Sequence, residues 1–312
     1  MSDPDLPLGW SYNPASWTQR LPIVGLALAG FVIALYLALY QWDVLPSVWE
    51  PFFGNDSHRI LKESWISKLL PVPDAFLGAL SYLADAIGGV VGGRDRWRTM
   101  PWIVILFGLL VGPLGLVSIL LVVSQPVLFS AWCTLCLASA VISVLMIGPA
   151  MDEVLASLQY LRREHARGRS LLRATLGLSE SSDRDQPIAA KHRRTAGARW
   201  AQFATAGLGL WLMAAPALFG YDGFAADSDR AIGPILATFG ITAIWEVTRA
   251  TRWANLPAGV WLLAAPWLFP LPKWAAGSHL LVGAAVLLLL LPRARTRMHM
   301  AGGWRYLLAP RH

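Results

Sequence analysis

Eight apolar segments constrain the fold of this chain more than any other feature. Each is long enough, or nearly so, to cross a hydrocarbon core of about 30 Å. They lie at roughly 22–41, 74–93, 101–123, 128–149, 200–219, 231–248, 254–270 and 276–292. Of the 312 residues, 55% are hydrophobic and only 14% are charged, a composition typical of polytopic membrane proteins. Because backbone in lipid must satisfy its own hydrogen bonds, we expect an all-α integral membrane protein with eight transmembrane helices.

Lysine and arginine collect in every second connection between these segments. The basic stretches are 94–98, 162–199, 249–252 and 293–311, whereas the connections at 124–130 and 222–230 are neutral or acidic. Cytoplasmic loops are enriched in these cations, so we expect both termini to be cytoplasmic. The net charge of +7 is concentrated in these short topology signals. We therefore expect membrane lipid as a partner and no nucleic acid.

The chain contains two cysteines, Cys133 and Cys136, at the start of the fourth segment. The predicted topology places them near the outer (periplasmic or extracellular) face, where a disulfide can form and persist. Residues three apart project from one helical face, close enough to bond if the helix start relaxes. The helix N-terminus also favours thiolate, above all at Cys133, which we expect to be the more exposed. This pattern favours a redox pair over two small apolar residues filling a helix interface.

A metal site at the cysteines is disfavoured by the surrounding sequence. Zinc would need two further ligands, and no histidine or carboxylate stands at ligand spacing around the pair. We therefore predict no metal.

A polar stretch divides the chain near its middle. Its centre, residues 179–187, is rich in serine and charged residues and is typical of a flexible linker. We expect a membrane domain over 1–165, a cytoplasmic linker over 166–198, and a second membrane domain with a basic cytoplasmic tail over 199–312.

The second domain contains an internal repeat. Arg-Trp-Ala-Gln at 199–202 returns as Arg-Trp-Ala-Asn at 252–255, and Gly-Leu-Trp-Leu-Met-Ala-Ala-Pro at 209–216 returns as Gly-Val-Trp-Leu-Leu-Ala-Ala-Pro at 259–266. Each unit predicts a helical hairpin, giving a four-helix unit of two repeated hairpins. The pattern resembles the Ser-Pro-Trp (SPW) repeat of bacterial membrane proteins, with Ala-Pro-Ala and Ala-Pro-Trp in place of the full tripeptide.

Interfacial tryptophan and small residues favour packing or assembly as the role of these repeats, including docking of a membrane protein partner. Duplicated hairpins would also suit a transporter. No segment is broken by paired glycine and proline at its midplane, as many transporters require.

Around the cysteine pair, the first domain resembles the vitamin K epoxide reductase family, membrane enzymes that couple thiol oxidation to a quinone or its epoxide. The resemblance covers roughly 10–160. It rests on the Cys-Thr-Leu-Cys pair at 133–136, on the outer loop 70–75, and on Ser118, Gln125, Ser139, Gly78 and Tyr82. It implies a four-helix bundle around a quinone headgroup, menaquinone or ubiquinone, with Cys136 facing the ring and Cys133 receiving electrons.

The resemblance implies Cys133 and Cys136 as the catalytic residues. Our quinone-binding candidates are Trp132, Ser118, Gln125, Ser139, Tyr82 and Phe53. For Phe53 and the other aromatic residues of the outer loop, ordinary anchoring at the membrane interface is the alternative to covering a quinone pocket.

The chain departs from the family in one respect. Typical members carry a second, shuttle cysteine pair in the outer loop, eight residues apart, which relays electrons from a thioredoxin-like partner. Here Trp49 and Ser57 stand at approximately those places. We expect electrons to enter the 133–136 pair directly from an external thiol, such as an exported thioredoxin-like protein. The alternative is a non-catalytic quinone-binding or scaffold subunit of a membrane complex.

Three ionisable residues are further candidates. Asp85 lies within the second segment, where an ionisable group is costly and usually partnered. Asp56 and His58 in the outer loop could assist proton transfer to a reduced quinone, although an exposed polar loop needs no such role.

Overall fold

The protein is predominantly α-helical in the computed structural model, which describes residues 5–63, 71–178, 195–295 and 300–308. The helices in chain order are α1 (Trp17–Gln41), α2 (Asp56–His58), α3 (Asp74–Val90), α4 (Arg96–Thr99), α5 (Pro101–Leu128), α6 (Thr134–Ala166), α7 (Leu171–Thr175), α8 (Arg199–Phe219), α9 (Phe224–Thr242), α10 (Asn255–Leu268), α11 (Lys273–Leu289) and α12 (Trp304–Leu308). A π-helix covers Arg59–Glu63 and a 3-10 helix covers Arg249–Ala254. Two short strands, β1 (Thr195–Gly197) and β2 (Arg293–Arg295), pair antiparallel.

Eight of the described helices coincide with the predicted apolar segments: α1, α3, α5, α6, α8, α9, α10 and α11. In the described part of the chain, α1, α5, α6 and α8 are long and apolar enough to cross a membrane, and α11 is a shorter apolar helix. The chain is therefore an all-α membrane protein. That all eight helices span remains a prediction.

The fourth and sixth segments differ from their predicted bounds. Helix α6 begins at Thr134 because residues 129–133 form a turn, in which Ser130 has a positive φ of 48°. It then continues through a polar stretch, where Glu153 forms a buried ion pair with Arg96. Helix α9 covers Phe224–Thr242 and not 231–248. The predicted start was too late because Asp227, Asp229 and Arg230 lower the local hydropathy, although Asp229 is buried inside the second bundle. A hydropathy pattern alone does not show that a charged residue has a partner inside the protein, so it places helix bounds wrongly at such residues.

The predicted linker at 166–198 is only partly described. Helix α7 and the turn to residue 178 lie within it. Its centre at 179–187, and the basic residues Lys191, Arg193, Arg194, Arg297 and Arg311 used for the topology, lie outside the described residues.

Small residues bring α1 and α3 into close contact in the first bundle. A Cβ atom on Gly30 would lie 2.6 Å from the Tyr82 ring, and one on Gly89 would lie 2.6 Å from Val24. The Arg20 side chain crosses to the end of α3, where Nε donates to the carbonyl of Gly89 at 2.8 Å. These contacts hold the Tyr82 ring against α1, with its hydroxyl directed at α6.

The second bundle has an internal pseudo-symmetry with an offset of 50 residues. In one hairpin a Cβ on Gly209 would lie 2.5 Å from the carbonyl oxygen of Gly233, and in the other a Cβ on Gly283 would lie 3.0 Å from that of Gly259. Each hairpin is therefore closed by glycines at equivalent positions. Close backbone approach through small residues is a common way of packing helices in membranes.

The two hairpins exchange equivalent hydrogen bonds. Trp211 Nε1 donates to Ser278 Oγ at 3.1 Å, and its counterpart Trp261 donates to Ser228 Oγ at 2.9 Å. The next residues along α9 and α11 are Asp229 and His279. Both are fully buried, and His279 Nε2 lies 2.6 Å from Asp229 Oδ1. The duplication thus places a carboxylate and an imidazole opposite each other between the hairpins.

The two bundles are in direct contact. The Trp245 ring packs against Gly148 of α6 so closely that a Cβ there would lie 2.3 Å from Cδ2 of the ring. Gln159 of α6 also donates through Nε2 to the carbonyls of Met300 and Gly303, both at 3.1 Å.

Candidate functional site

Cys133 and Cys136 form a disulfide with their Cα atoms 5.2 Å apart. Cys133 is the residue before α6 and has extended backbone, with φ −130° and ψ 114°. Cys136 lies in the first turn, and its N–H donates to Cys133 Sγ at 3.2 Å. Because Cys133 is outside the helix, its side chain can turn back towards Cys136.

The accessibility of the pair is opposite to the expected one. Cys133 was predicted to be the more exposed cysteine, and this was wrong: it is fully buried, whereas Cys136 is partly exposed. The reason is that residues 49–58, which we call the covering loop, are fastened to the segment around Cys133 by several contacts.

Glu50 is the main attachment of the covering loop. Its carboxylate accepts hydrogen bonds from the Thr134 N–H at 2.9 Å, from the Thr134 hydroxyl, and from the Ser57 hydroxyl. Burial alone would raise the pKa of Glu50, but hydrogen bonds from Ser57, Thr134 and Phe52 outweigh it and hold the pKa of this carboxyl below its usual value. The loop is thus tied by an anion to the N-terminus of α6, the end of a helix that favours negative charge.

Two further contacts close the loop over the pair, and a third holds Cys133 from α5. Asp56 Oδ2 accepts a hydrogen bond from the Trp132 N–H at 3.2 Å, and the Phe53 ring stacks on Trp132 with centroids 6.2 Å apart. From below, Gln125 Oε1 accepts a hydrogen bond from the Cys133 N–H at 3.1 Å. The backbone on both sides of Cys133 is therefore held by side chains from other segments.

His58 and Tyr40 form the lower edge of the covering loop. Tyr40 Oη lies 2.5 Å from His58 Nδ1, and the Tyr40 ring belongs to an apolar cluster with Leu37 and Leu61. Cys136 packs against this cluster. The inner cysteine therefore faces an apolar environment inside the bundle.

A cluster of hydroxyl groups continues from Cys136 down α6. The Tyr82 hydroxyl donates to the carbonyl of Ser139 at 2.6 Å and lies 2.5 Å from Ser143 Oγ. Ser118 Oγ donates to Ser143 Oγ at 3.1 Å. Cys136, Ser139 and Ser143 lie on one face of α6, since they are three and four residues apart. The cluster joins α3, α5 and α6 at the level just below the disulfide.

The predicted site residues thus fall into two groups. Phe53, Trp132 and Gln125 surround Cys133, whereas Tyr82, Ser118 and Ser139 form the deeper cluster beyond Cys136. The disulfide lies between the two groups. Their role in binding a quinone remains a prediction.

Two residues of the site were not predicted. Glu50 is the one charged residue of the stretch 45–53, and Ser143 follows Ser139 by one helical turn. A search for isolated acids near a helix start and for hydroxyls at helical spacing would have found both.

Asp85 lies one turn beyond Tyr82 on α3 and is fully buried. Among the residues that the structure describes, neither of its carboxyl oxygens has a hydrogen-bond partner. The cost of such a group keeps it a candidate for proton handling.

The fold and the site define a class of protein: a helical membrane protein with a Cys-X-X-Cys disulfide at one end of a bundle. Two family matches identify the parts of the chain. Residues 21–150 match the vitamin K epoxide reductase family, and residues 199–291 match the SPW repeat domain. Both families, and their order along the chain, are those that the sequence predicted. The first match suggests, in general terms, a membrane thiol–quinone oxidoreductase and a quinone substrate. No curated protein and no solved structure matches the chain.

Proposed function

We propose that this protein is a thiol:quinone oxidoreductase in which electrons enter the Cys133–Cys136 disulfide directly from an external thiol and leave to a membrane quinone. The observation that carries the proposal is the position of the disulfide, between the covering loop on the Cys133 side and the hydroxyl cluster on the Cys136 side. One side offers an entrance for a donor and the other an interior suited to an acceptor.

The first half of the reaction reduces the disulfide. A donor thiolate attacks Cys133 Sγ, the bond to Cys136 breaks, and Cys136 leaves as a thiolate at the start of α6, where the helix dipole stabilises it. A second thiol of the donor then attacks the mixed disulfide. The donor leaves as its own disulfide, and the chain keeps two thiols, having gained two electrons and two protons.

Cys133 must first become accessible to the donor. Because its sulfur is buried under residues 49–58, the loop has to move away from Thr134 and Trp132. Ser57 stands at approximately the position of a shuttle cysteine, and its hydroxyl donates a hydrogen bond to Glu50. We infer that the loop has the role of a cover here and that relay of electrons belongs to another molecule.

The second half of the reaction reoxidises the pair. A quinone takes up two electrons and two protons as it becomes a quinol, which matches what the reduced pair can give. The hydroxyls of Tyr82, Ser118 and Ser139 fit this substrate: Ser139 can donate to a quinone carbonyl directly, and Tyr82 and Ser118 can do so by turning away from the backbone carbonyls that accept their protons now. Trp132, Gln125 and Phe53 would bound the site on its other side.

The wider arrangement is part of the same proposal. We assign residues 1–165 to the redox domain, 166–198 to a cytoplasmic linker and 199–312 to the SPW-repeat domain. All eight helices would span the membrane with both termini in the cytoplasm, which places the cysteine pair near the outer face. Menaquinone and ubiquinone both satisfy the chemistry, and an exported thioredoxin-like protein is the donor we favour.

A second candidate function is a non-catalytic quinone-binding or scaffold subunit, in which the SPW-repeat half docks another membrane protein. Burial of Cys133 beneath a fastened loop favours it, together with the missing shuttle pair. In this case the disulfide would be structural.

Turnover of the purified protein distinguishes the two. With excess dithiothreitol and a soluble quinone analogue, the parent should reduce the quinone faster than the uncatalysed mixture, and Cys136→Ala should lose this activity. Ser124→Ala, which removes a hydroxyl bonded within its own helix, should keep it. Equal rates for the parent and Cys136→Ala would reject the enzyme and support the scaffold.

A further inference from the structure

The pseudo-symmetry of the second bundle is broken on one face. Phe224, Trp261 and Phe269 pack together where α9 meets α10, and the Phe224 and Phe269 ring centroids are 4.1 Å apart. The equivalent residues, 50 positions away, are Trp274, Trp211 and Phe219. Trp274 is 73% exposed, and the three line the mouth of an open groove between α8 and α11.

The groove has the dimensions of a lipid chain. It encloses about 920 Å³ and is lined almost wholly by apolar side chains. Its lining on α11 runs from Lys273 to Ala285, which at 1.5 Å per residue is about 18 Å. One leaflet of a hydrocarbon core about 30 Å thick is about 15 Å deep. The groove therefore extends roughly through one leaflet.

The end of the groove at Lys273 is suited to an anion. Lys273 is exposed at the first position of α11, a 17-residue helix that begins after Pro272. The first N–H groups of a helix lack intrahelical acceptors and favour negative charge. Among the described residues, no carboxylate lines the groove beside Lys273. In the other repeat the equivalent position is Gly223, so the cation belongs to the open face alone.

A quinone ring is a poorer fit. Ser278 carries the hydroxyl of the lining and offers one donor for two ring carbonyls, and the Trp211 N–H already donates to Ser278. Ring carbonyls would gain few donors along the groove, whereas an acyl chain needs none.

We propose that the groove between α8 and α11 is a binding site for an anionic phospholipid, with one acyl chain along the apolar wall and the phosphate at Lys273 and the start of α11. This site is independent of the cysteine pair and of the proposed redox function.

Glycine provides a matched pair of variants. A Cβ on Gly277, inside the groove, or on Gly207, on α8 outside it, would meet no atom within 4 Å. Gly277→Phe should fill the groove without disturbing the packing of helices. Gly207→Phe adds the same ring elsewhere. Lys273→Gln leaves the groove open and removes only the cation.

The test is native mass spectrometry of the full-length protein in detergent, titrated with equal amounts of phosphatidylglycerol and phosphatidylcholine that carry the same acyl chains. The parent and Gly207→Phe should each retain one molecule of phosphatidylglycerol per chain, in preference to phosphatidylcholine. Gly277→Phe should lose it, and Lys273→Gln should bind it about fivefold more weakly, the effect of one lysine near a membrane surface.

Three results would overturn the assignment. Equal retention of the two phospholipids would mean unspecific lipid contact, and unchanged retention by Gly277→Phe would place the lipid elsewhere. If a long-chain quinone in the same titration displaced phosphatidylglycerol from the parent and was itself excluded by Gly277→Phe, the groove would be a quinone site.

Discussion

Glu50 Oε2 accepts a hydrogen bond from the N–H of Thr134 at 2.9 Å, which ties the covering loop to the residue that follows Cys133. The same carboxylate also accepts hydrogen bonds from the hydroxyls of Thr134 and Ser57. Cys133 is buried beneath this loop. If the proposed function is right, an external thiol reaches the disulfide only after this contact breaks.

Replacing Glu50 by glutamine should accelerate reduction of the disulfide. The amide keeps one acceptor oxygen but loses the charge and the second acceptor, so the loop opens more often. Hydrogen bonds to a charged group stabilise by about 1.5–3 kcal/mol, so we expect reduction by a soluble dithiol to be about tenfold faster. The rate can be followed by alkylation of the released thiols.

Asp43→Asn is the control for this change. Asp43 is an exposed acid close to the loop that pairs with Lys62, away from the cysteines. It should leave the rate of reduction as in the parent. A Glu50→Gln protein that is reduced no faster than Asp43→Asn would show that the loop does not limit access.

The hydroxyl cluster should matter for the quinone and not for the thiol. Ser118→Ala removes the link to Ser143, and Tyr82→Phe removes the central hydroxyl. Each lost hydrogen bond to a quinone is worth about 1 kcal/mol, so we expect about fivefold lower quinone kcat/KM for either variant. Reduction of the disulfide by dithiothreitol should be unchanged.

Ser124→Ala is the matched control, because Ser124 is also on α5 and bonds only a carbonyl of its own helix in the described structure. Quinone kinetics that are equal for Ser118→Ala and Ser124→Ala would exclude the cluster from the quinone site.

The interface between the two bundles predicts an effect on stability. In Gly148→Ala the new methyl group would overlap the Trp245 ring, and overpacking of this kind costs about 1–3 kcal/mol. We expect a lower midpoint of thermal unfolding in detergent. Gly112→Ala, where a Cβ meets no atom within 4 Å, should be neutral or stabilising by up to about 1 kcal/mol. Equal midpoints for the two variants would contradict the observed packing.

Asp229 and His279 predict a rescue experiment. Asp229→Ala leaves His279 buried without this partner, which costs about 3–5 kcal/mol, whereas His279→Ala leaves Asp229 with the Tyr221 hydroxyl and should cost less. Because the two positions are equivalent in the repeats, the exchange Asp229→His with His279→Asp should recover much of the lost thermal stability. An exchanged protein that is as unstable as the single alanine variants would mean that the two sites are not interchangeable.

Much of the fold could be predicted because helices in lipid need continuous apolar sequence. The eight helices, the repeat and both family domains follow from local patterns of this kind. Helix α9 shows the limit: Asp229 lowers its apparent hydropathy, and it is tolerated because His279, fifty residues away, and the Tyr221 hydroxyl both contact its carboxylate. Compensation between distant residues leaves no local signal.

The candidate site shows the same division. Cys133 and Cys136 are evident from their spacing, but the burial of Cys133 depends on Glu50, which lies more than 80 residues earlier in the chain. The expectation of an exposed Cys133 assumed that a position near the membrane surface is open to solvent. The covering loop, from another part of the chain, buries Cys133 in spite of that position.

The central claim is that the Cys133–Cys136 pair passes two electrons to a quinone, and a single turnover tests it most directly. The protein is reduced, freed of reductant under anaerobic conditions and mixed with an excess of a soluble quinone, after which free thiols and quinol are counted. Because the chain has only two cysteines, each thiol counted belongs to the pair. We predict that the thiols fall from two to none per chain while one quinol forms. Two thiols that persist, with the quinone still oxidised, would contradict the account.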